Sequence, residues 1–166
     1  MAKLKMLRAQ TGSPLNHCKT ALAENDNDIE KSKEFLRKKG LADAEKRSSR
    51  SATEGLIGLD QDGDAITMIQ FSCETDFVAK TDRFRDGIKG ILATLAGQDS
   101  LAVSGAQSDD AQLLESIISG TTLTASLDPD TPTQSLEDGI KFTASKTQEN
   151  CQLARVFKQS WDSSAG

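Results

Sequence analysis

Apolar residues recur at helical spacing through the first forty positions, in three short segments separated by turn residues. The first segment ends at Thr11-Gly12, and Ser13-Pro14 then supplies a cap and a first-turn proline for the second. Asn27 and Glu30 resemble a capping box that would open the third segment, and Gly40 is predicted to end it after three basic residues. The pattern predicts a three-helix module over residues 1–40. The inward stripe of its second helix is predicted to be Leu15, Cys18, Ala21 and Leu22.

The next segment, residues 41–54, is polar and charged, and Ser48-Ser49-Arg50-Ser51 stands at its centre. We interpret it as a linker between the helical module and the rest of the chain. It has room for one or two further helical turns, because Ala42 to Lys46 are mostly good helix formers.

A β-hairpin is predicted after the linker. The apolar run Gly55–Leu59 and the β-rich run Ala65–Cys73 flank an acidic segment that contains Asp62-Gly63, a strong turn signal. The acidic segment also suggests a calcium loop, but it lacks the twelve-residue ligand pattern and its closing glutamate. The hairpin is therefore the favoured interpretation.

The second half of the chain alternates helices with connections. Asp82–Gly97 carries an amphipathic pattern, and a shorter helix ends at Gly120. Ser104–Asp110 is predicted as a polar loop and Thr121–Thr133 as a long exposed connection. A helix within Ser135–Asn150 and a strand over Cys151–Phe157, placed beside the hairpin, complete the pattern.

These elements predict an α+β fold, in which the three-helix module precedes a small antiparallel sheet packed with helices. We expect four parts in the chain. They are the module (1–40), the linker (41–54), an α+β core (55–159) and a tail (160–166).

The amino-acid composition argues against some classes of function. The 25 acidic residues outnumber the 20 basic ones, which is the opposite of a usual nucleic-acid binder. Two basic clusters, Arg37-Lys38-Lys39 and Lys46–Arg50, are interpreted as a solvated helix end and linker, with RNA contact as the alternative. Three cysteines without metal-ligand or redox spacing indicate a reducing compartment. We expect no membrane span, because no apolar run is long enough to span a bilayer. We also expect no cofactor.

No catalytic motif stands out. The chain lacks a P-loop, a glycine-rich dinucleotide turn and a zinc-ligand pattern. His17 is its only histidine, and no nucleophile motif accompanies it. We therefore predict that the chain is not an enzyme.

The segment Phe71–Lys80 is the most informative in the chain, because it places Asp76 beside Phe77 where a strand gives way to a helix. Two interpretations are open. In the first, Phe77 packs into the core and Asp76 caps the next helix. In the second, the ring and the carboxylate are presented to a partner.

Three blocks of residues resemble the translation elongation factor Ts family. The first, residues 7–38, is similar to the family's ubiquitin-associated-like module. The second, Glu54–Gly58 leading to Cys73–Ala79, is similar to the family signature, and the third is Glu149-Asn150 with Arg155. The second core subdomain and the coiled-coil insertion known in the family do not follow Phe157. We therefore expect a truncated isoform, a fragment or a shortened organellar form.

The resemblance implies a guanine-nucleotide exchange factor that promotes GDP release from elongation factor Tu. It implies that Thr75, Asp76, Phe77 and Val78 insert near the magnesium and phosphate site of that GTPase. Secondary contacts are expected at Leu15, Cys18, Glu149 and Asn150. The expected state is a monomer or a heterodimer with the GTPase, in the mitochondrial matrix or, alternatively, the bacterial cytoplasm.

Two other functions stay open at this point. The chain could be an interaction module that binds the GTPase without efficient exchange. A ubiquitin-binding adaptor is the weakest hypothesis, because it depends only on the three-helix resemblance.

Overall fold

The structure is a computed structural model of the 166-residue chain, and it describes residues 2–98, 111–131 and 133–161. The predicted loop Ser104–Asp110 and most of the predicted tail lie outside the described residues.

Three helices form the N-terminal module: α1 (Ala2–Thr11), α2 (Leu15–Glu24) and α3 (Ile29–Arg47). Gly12 ends α1 with a φ of 68°, and its N–H donates to the carbonyl of Arg8 at 2.8 Å. One small apolar cluster holds the three helices together. Its buried members are Leu7, Cys18, Ala21, Leu22 and Leu36.

Some local predictions for this module are wrong. Leu15 is 41% exposed and is not part of the inward stripe. Pro14, rather than Ser13, is the N-cap of α2, and no side chain caps that helix. The N-cap of α3 is Asp28, whose carboxylate accepts a hydrogen bond from Lys31 N at 3.0 Å, and Asn27 instead takes a left-handed φ of 58°. The cap therefore lies one residue later than predicted.

The predicted end of α3 at Gly40 is also wrong, because the helix continues to Arg47. Gly40 packs closely on Ser145, where an added Cβ would lie 3.3 Å from the serine Cβ. Beyond it, Lys141 Nζ pairs with Glu45 at 2.8 Å, and Arg47 donates to the carbonyl of Ala144 at 3.5 Å. Packing on a neighbouring helix thus outweighs the low helix propensity of glycine.

The predicted hairpin is confirmed. Strands β1 (Glu54–Asp62) and β2 (Ala65–Cys73) pair antiparallel, with Asp62 opposite Ala65 and Gly63 in the turn at a φ of 52°. The strand β3 (Cys151–Ser160) pairs with the other edge of β2, as predicted. The sheet order is β1-β2-β3. The acidic segment is therefore strand and turn.

Four more helices are α4 (Asp76–Ala79), α5 (Asp82–Ala96), α6 (Ala111–Gly120) and α7 (Leu136–Thr147). The amphipathic pattern of α5 is confirmed, since it buries one stripe against the sheet. At the centre of the core, the rings of Phe71 and Phe84 stack with centroids 5.0 Å apart. Lys158 of β3 donates to the carbonyls of Ala96 and Gln98 at 2.7 Å each and so satisfies the end of α5.

The connection after α6 is not exposed as predicted. Leu123 and Asp128 are buried, and the N–H of Leu123 donates to Gln134 O at 2.8 Å. Asp128 also lies 3.7 Å from Arg37 of α3. The turn-rich composition correctly indicated irregular backbone, but tertiary contacts bury part of it.

The predicted α+β class is confirmed by seven helices and a three-stranded antiparallel sheet among the described residues. None of the helices in these described ranges has the length and apolarity needed to cross a membrane.

Candidate functional site

The candidate site is the corner between β2 and α5, formed by residues 74–80. After β2 ends at Cys73, Thr75 takes an extended conformation and becomes the N-cap of α4, with φ −131° and ψ 151°. Its Oγ1 accepts a hydrogen bond from Val78 N at 3.4 Å. The chain therefore makes one short helical turn before α5 begins, and that turn carries the predicted residues.

Phe77 lies on the outside of this turn and is 79% exposed, the highest value among the exposed large apolar residues of the described chain. Its neighbours anchor the turn, because Ala79 is buried and Val78 packs against the main core. The interpretation of Phe77 as a core residue is wrong. Asp76 does not cap the next helix either, since the N-cap of α5 is Thr81.

The charges at the corner are paired. Lys80 Nζ lies 2.7 Å from the Asp76 carboxylate and 6.0 Å from the centroid of the Phe77 ring. The hydrogen bond from Lys80 lowers the pKa of the Asp76 carboxyl below its ordinary value. An exposed ring beside an exposed ion pair is a surface suited to contact with another protein.

The structure brings two of the predicted secondary residues to the corner, but on its inner side. The Glu149 carboxylate accepts hydrogen bonds from Thr75 N at 2.9 Å and Thr75 Oγ1 at 2.7 Å. Asn150 is 3% exposed, and its side chain donates to the carbonyls of Ser48 and Arg50 at 3.1 and 2.6 Å. The prediction that Asn150 contacts a partner is therefore wrong, because its polar groups are used within the chain.

The two predicted secondary residues of α2 differ from each other. Leu15 is exposed and available to a partner, whereas Cys18 is completely buried in the cluster of the N-terminal module. The predicted partner contact by Cys18 is wrong, because a side chain without accessible surface cannot touch another protein. Its spacing on the apolar stripe of α2 was the signal for burial.

Sequence reasoning missed the residues that hold the corner from behind. Glu74 Oε1 accepts from Asn150 N at 2.7 Å, and Arg50 lies 3.4 Å from the same carboxylate oxygen. Lys80, which pairs with Asp76, was also missed, although its i,i+4 spacing was a usable signal.

Among the described residues, no group of three or more histidine, cysteine, aspartate or glutamate side chains is placed to bind a metal ion. Cys73 and Cys151 lie opposite each other in the β2–β3 register as free thiols. Burial raises their pKa values to about 11 and about 12.

The corner thus presents an exposed ring beside an ion pair on a small α+β core. Comparison with known proteins shows which proteins this chain is similar to. Elongation factor Ts of Rhizorhabdus wittichii is 44% identical over 107 residues, covering 63% of this chain and 35% of that protein. Elongation factor Ts of Synechococcus elongatus is 46% identical over 98 residues, covering 57% of this chain and 44% of that protein. No protein-family model matches the chain.

The predicted resemblance is therefore confirmed: this chain is similar to translation elongation factor Ts over more than half of its length. It spans less than half the length of each of these two relatives.

Proposed function

We propose that this chain is a guanine-nucleotide exchange factor that promotes GDP release from elongation factor Tu during translation elongation. Two facts support the proposal: the similarity to elongation factor Ts and the exposed ring of Phe77 at the corner. The exposed ring is the observation that carries the mechanism, since a buried Phe77 could not reach a partner.

The mechanism follows from how GTPases hold nucleotide. Phosphate contacts and a Mg²⁺ ion hold the nucleotide in a GTPase, and they require aligned loops and helices. In our proposal, the ring of Phe77 inserts between elements of the GTPase next to that site. Asp76 contacts polar or basic groups beside it, and Thr75 and Val78 complete the surface. The inserted ring favours a state in which the phosphate and Mg²⁺ ligands no longer align.

The required free energy is modest but exceeds what one ring supplies. A roughly thousandfold weakening of GDP binding needs about 4 kcal/mol of differential binding. Burying a whole phenylalanine side chain contributes about 1.5–3 kcal/mol. Other contacts of the chain must therefore contribute, and exposed Leu15 on the N-terminal module is the remaining predicted anchor of α2.

The chain itself is proposed to act by binding rather than by bond chemistry, as a monomer or as a heterodimer with the GTPase. We place it in the mitochondrial matrix, with the bacterial cytoplasm as the alternative. The relatives described above are bacterial, which supports the alternative.

The test is the rate at which fluorescent GDP leaves elongation factor Tu, measured by stopped flow with the chain in excess. We expect the wild-type chain to accelerate release, and Phe77→Ala and Asp76→Ala to lose much of that acceleration. Leu59→Ala is the matched control, because Leu59 is also an exposed apolar residue, at 57%, but belongs to β1. Equal rates for wild type and Phe77→Ala would refute the proposed insertion.

The second candidate is an interaction module that binds the GTPase without efficient exchange. Exposed Met6 and Leu15 on the N-terminal helices favour it, since they offer apolar side chains that do not belong to the corner residues 74–80. Binding to elongation factor Tu that survives Phe77→Ala, together with no acceleration of GDP release by wild type, would support this function.

A further inference from the structure

The corner meets the turn between α7 and β3 through two crossed pairs of neighbouring residues. Glu149 accepts both hydrogen bonds that Thr75 can donate, at 2.9 and 2.7 Å. In the reverse direction, Glu74 accepts from the backbone of Asn150 at 2.7 Å. The contacts join positions more than seventy residues apart, so they fix the corner to the body of the protein.

The corner needs such a support, because α4 has four residues and cannot order itself. A single helical turn is unfavourable in isolation. Its internal bonds are long, with Val78 N 3.4 Å from Thr75 Oγ1 and Ala79 N 3.3 Å from Thr75 O. The bonds from Thr75 to the Glu149 carboxylate are shorter and involve a charged acceptor, which makes them the stronger pair.

The support is itself anchored behind the corner. The Asn150 side chain donates to the carbonyls of Ser48 and Arg50, just beyond the end of α3. The Arg50 side chain returns to Glu74 at 3.4 Å. The α7–β3 turn therefore connects the corner, the end of α3 and the sheet.

We propose that Glu149 is a positioning residue that holds Thr75, and through it the exposed Phe77, in the geometry that the partner receives. The inference deepens the proposed function and rests on it. A corner that is ordered before binding avoids the entropy cost of ordering it in the complex, which raises affinity without any new contact. Glu149 is expected to make its contribution without touching the partner.

The positioning itself is tested in the free chain, independently of any exchange activity. Hydrogen–deuterium exchange of the Thr75 amide, measured by NMR, should be slow in wild type and at least about tenfold faster in Glu149→Ala, as expected when a hydrogen bond to a charged group is lost. An unchanged rate would overturn the proposal. Glu149→Asp shortens the side chain by one methylene and should behave like Glu149→Ala, and it carries the test if the alanine variant does not fold.

Glu149→Gln is the conservative control. Its amide oxygen can accept from Thr75 N, and its NH₂ group can donate to Thr75 Oγ1, so both contacts are retained with one reversed. We expect the amide exchange rate and the GDP-release activity of this variant to stay within about threefold of wild type, because both contacts are retained. The small remaining loss reflects the replacement of a charged acceptor by a neutral one.

The functional consequence is tested with a double-mutant cycle in the GDP-release assay. At a subsaturating concentration of the chain, Glu149→Ala should lower the rate of GDP release by roughly tenfold, which is the size expected when a hydrogen bond to a charged group is lost. Adding it to Phe77→Ala should cause no further loss, because Glu149 acts through the ring. Losses that multiply would overturn the proposal and assign Glu149 an independent structural role. If Phe77→Ala alone equals wild type, the proposed function fails, whereas an impaired Phe77→Ala with an active Glu149→Ala refutes only the positioning role.

Discussion

Truncating Phe77 should separate partner binding from folding. The side chain is 79% exposed, so most of its apolar surface is free to be buried by a partner. Scaling the transfer free energy of a whole phenylalanine side chain by that fraction leaves about 1–2.5 kcal/mol for the contact. Phe77→Ala should therefore weaken binding to nucleotide-free elongation factor Tu by roughly 5- to 60-fold.

The same substitution should leave the free chain nearly unchanged. Exposed substitutions away from caps and buried networks usually alter the free energy of unfolding by less than about 0.5 kcal/mol. Isothermal titration calorimetry measures the affinity, urea denaturation measures the stability, and Leu59→Ala serves as the control in both. An unchanged affinity, or a loss of stability above about 2 kcal/mol, would refute the assignment of Phe77 to a partner surface.

Three further predictions test the surroundings of the corner. Phe84 is fully buried against Phe71, so Phe84→Ala should reduce the free energy of unfolding by about 3–5 kcal/mol, measured by urea denaturation. A reduction below about 1 kcal/mol would contradict the packing of α5 on the sheet. NMR titration should find the pKa of Asp76 below the ordinary 3.8, and Lys80→Gln should move it back toward 3.8. The pair should therefore stabilise the fold above pH 3.8, and this stabilisation should be lost as the pH falls through the lowered pKa. A pKa of Asp76 that does not respond to Lys80→Gln would contradict the pairing. All three cysteines are buried, and burial raises the pKa of Cys73 and Cys151. A thiol reagent at about pH 8 should therefore label the native chain slowly and the unfolded chain fast. Rapid labelling of the native chain would contradict the described core.

The sequence predicted features that arise from local patterns. The spacing of Phe84, Ile88 and Leu95 correctly placed α5, and the Asp62-Gly63 turn correctly placed the hairpin. The position of Phe77 at a strand-to-helix boundary raised the possibility of exposure, which the structure decides in favour of a ring on the surface.

Features that arise from long-range packing could not be predicted. The low helix propensity of Gly40 predicts the end of a helix at this position. Helix α3 continues to Arg47 instead, because its C-terminal half packs on α7. Glu149 gives no local sign that its carboxylate reaches Thr75, since nothing in the sequence sets the distance between two positions 74 residues apart. Glu149 and Asn150 were predicted to contact a partner, whereas the structure uses both side chains in hydrogen bonds within the chain.

Reciprocal coupling between binding of the chain and binding of GDP is the sharpest test of the proposed exchange function. The affinity of GDP for elongation factor Tu is measured with and without saturating chain, and the affinity of the chain is measured with and without saturating GDP. We expect both affinities to fall by the same large factor, because binding linkage is reciprocal, and we expect Phe77→Ala to reduce that factor. A GDP affinity that does not change when the chain is bound would contradict the proposed exchange function.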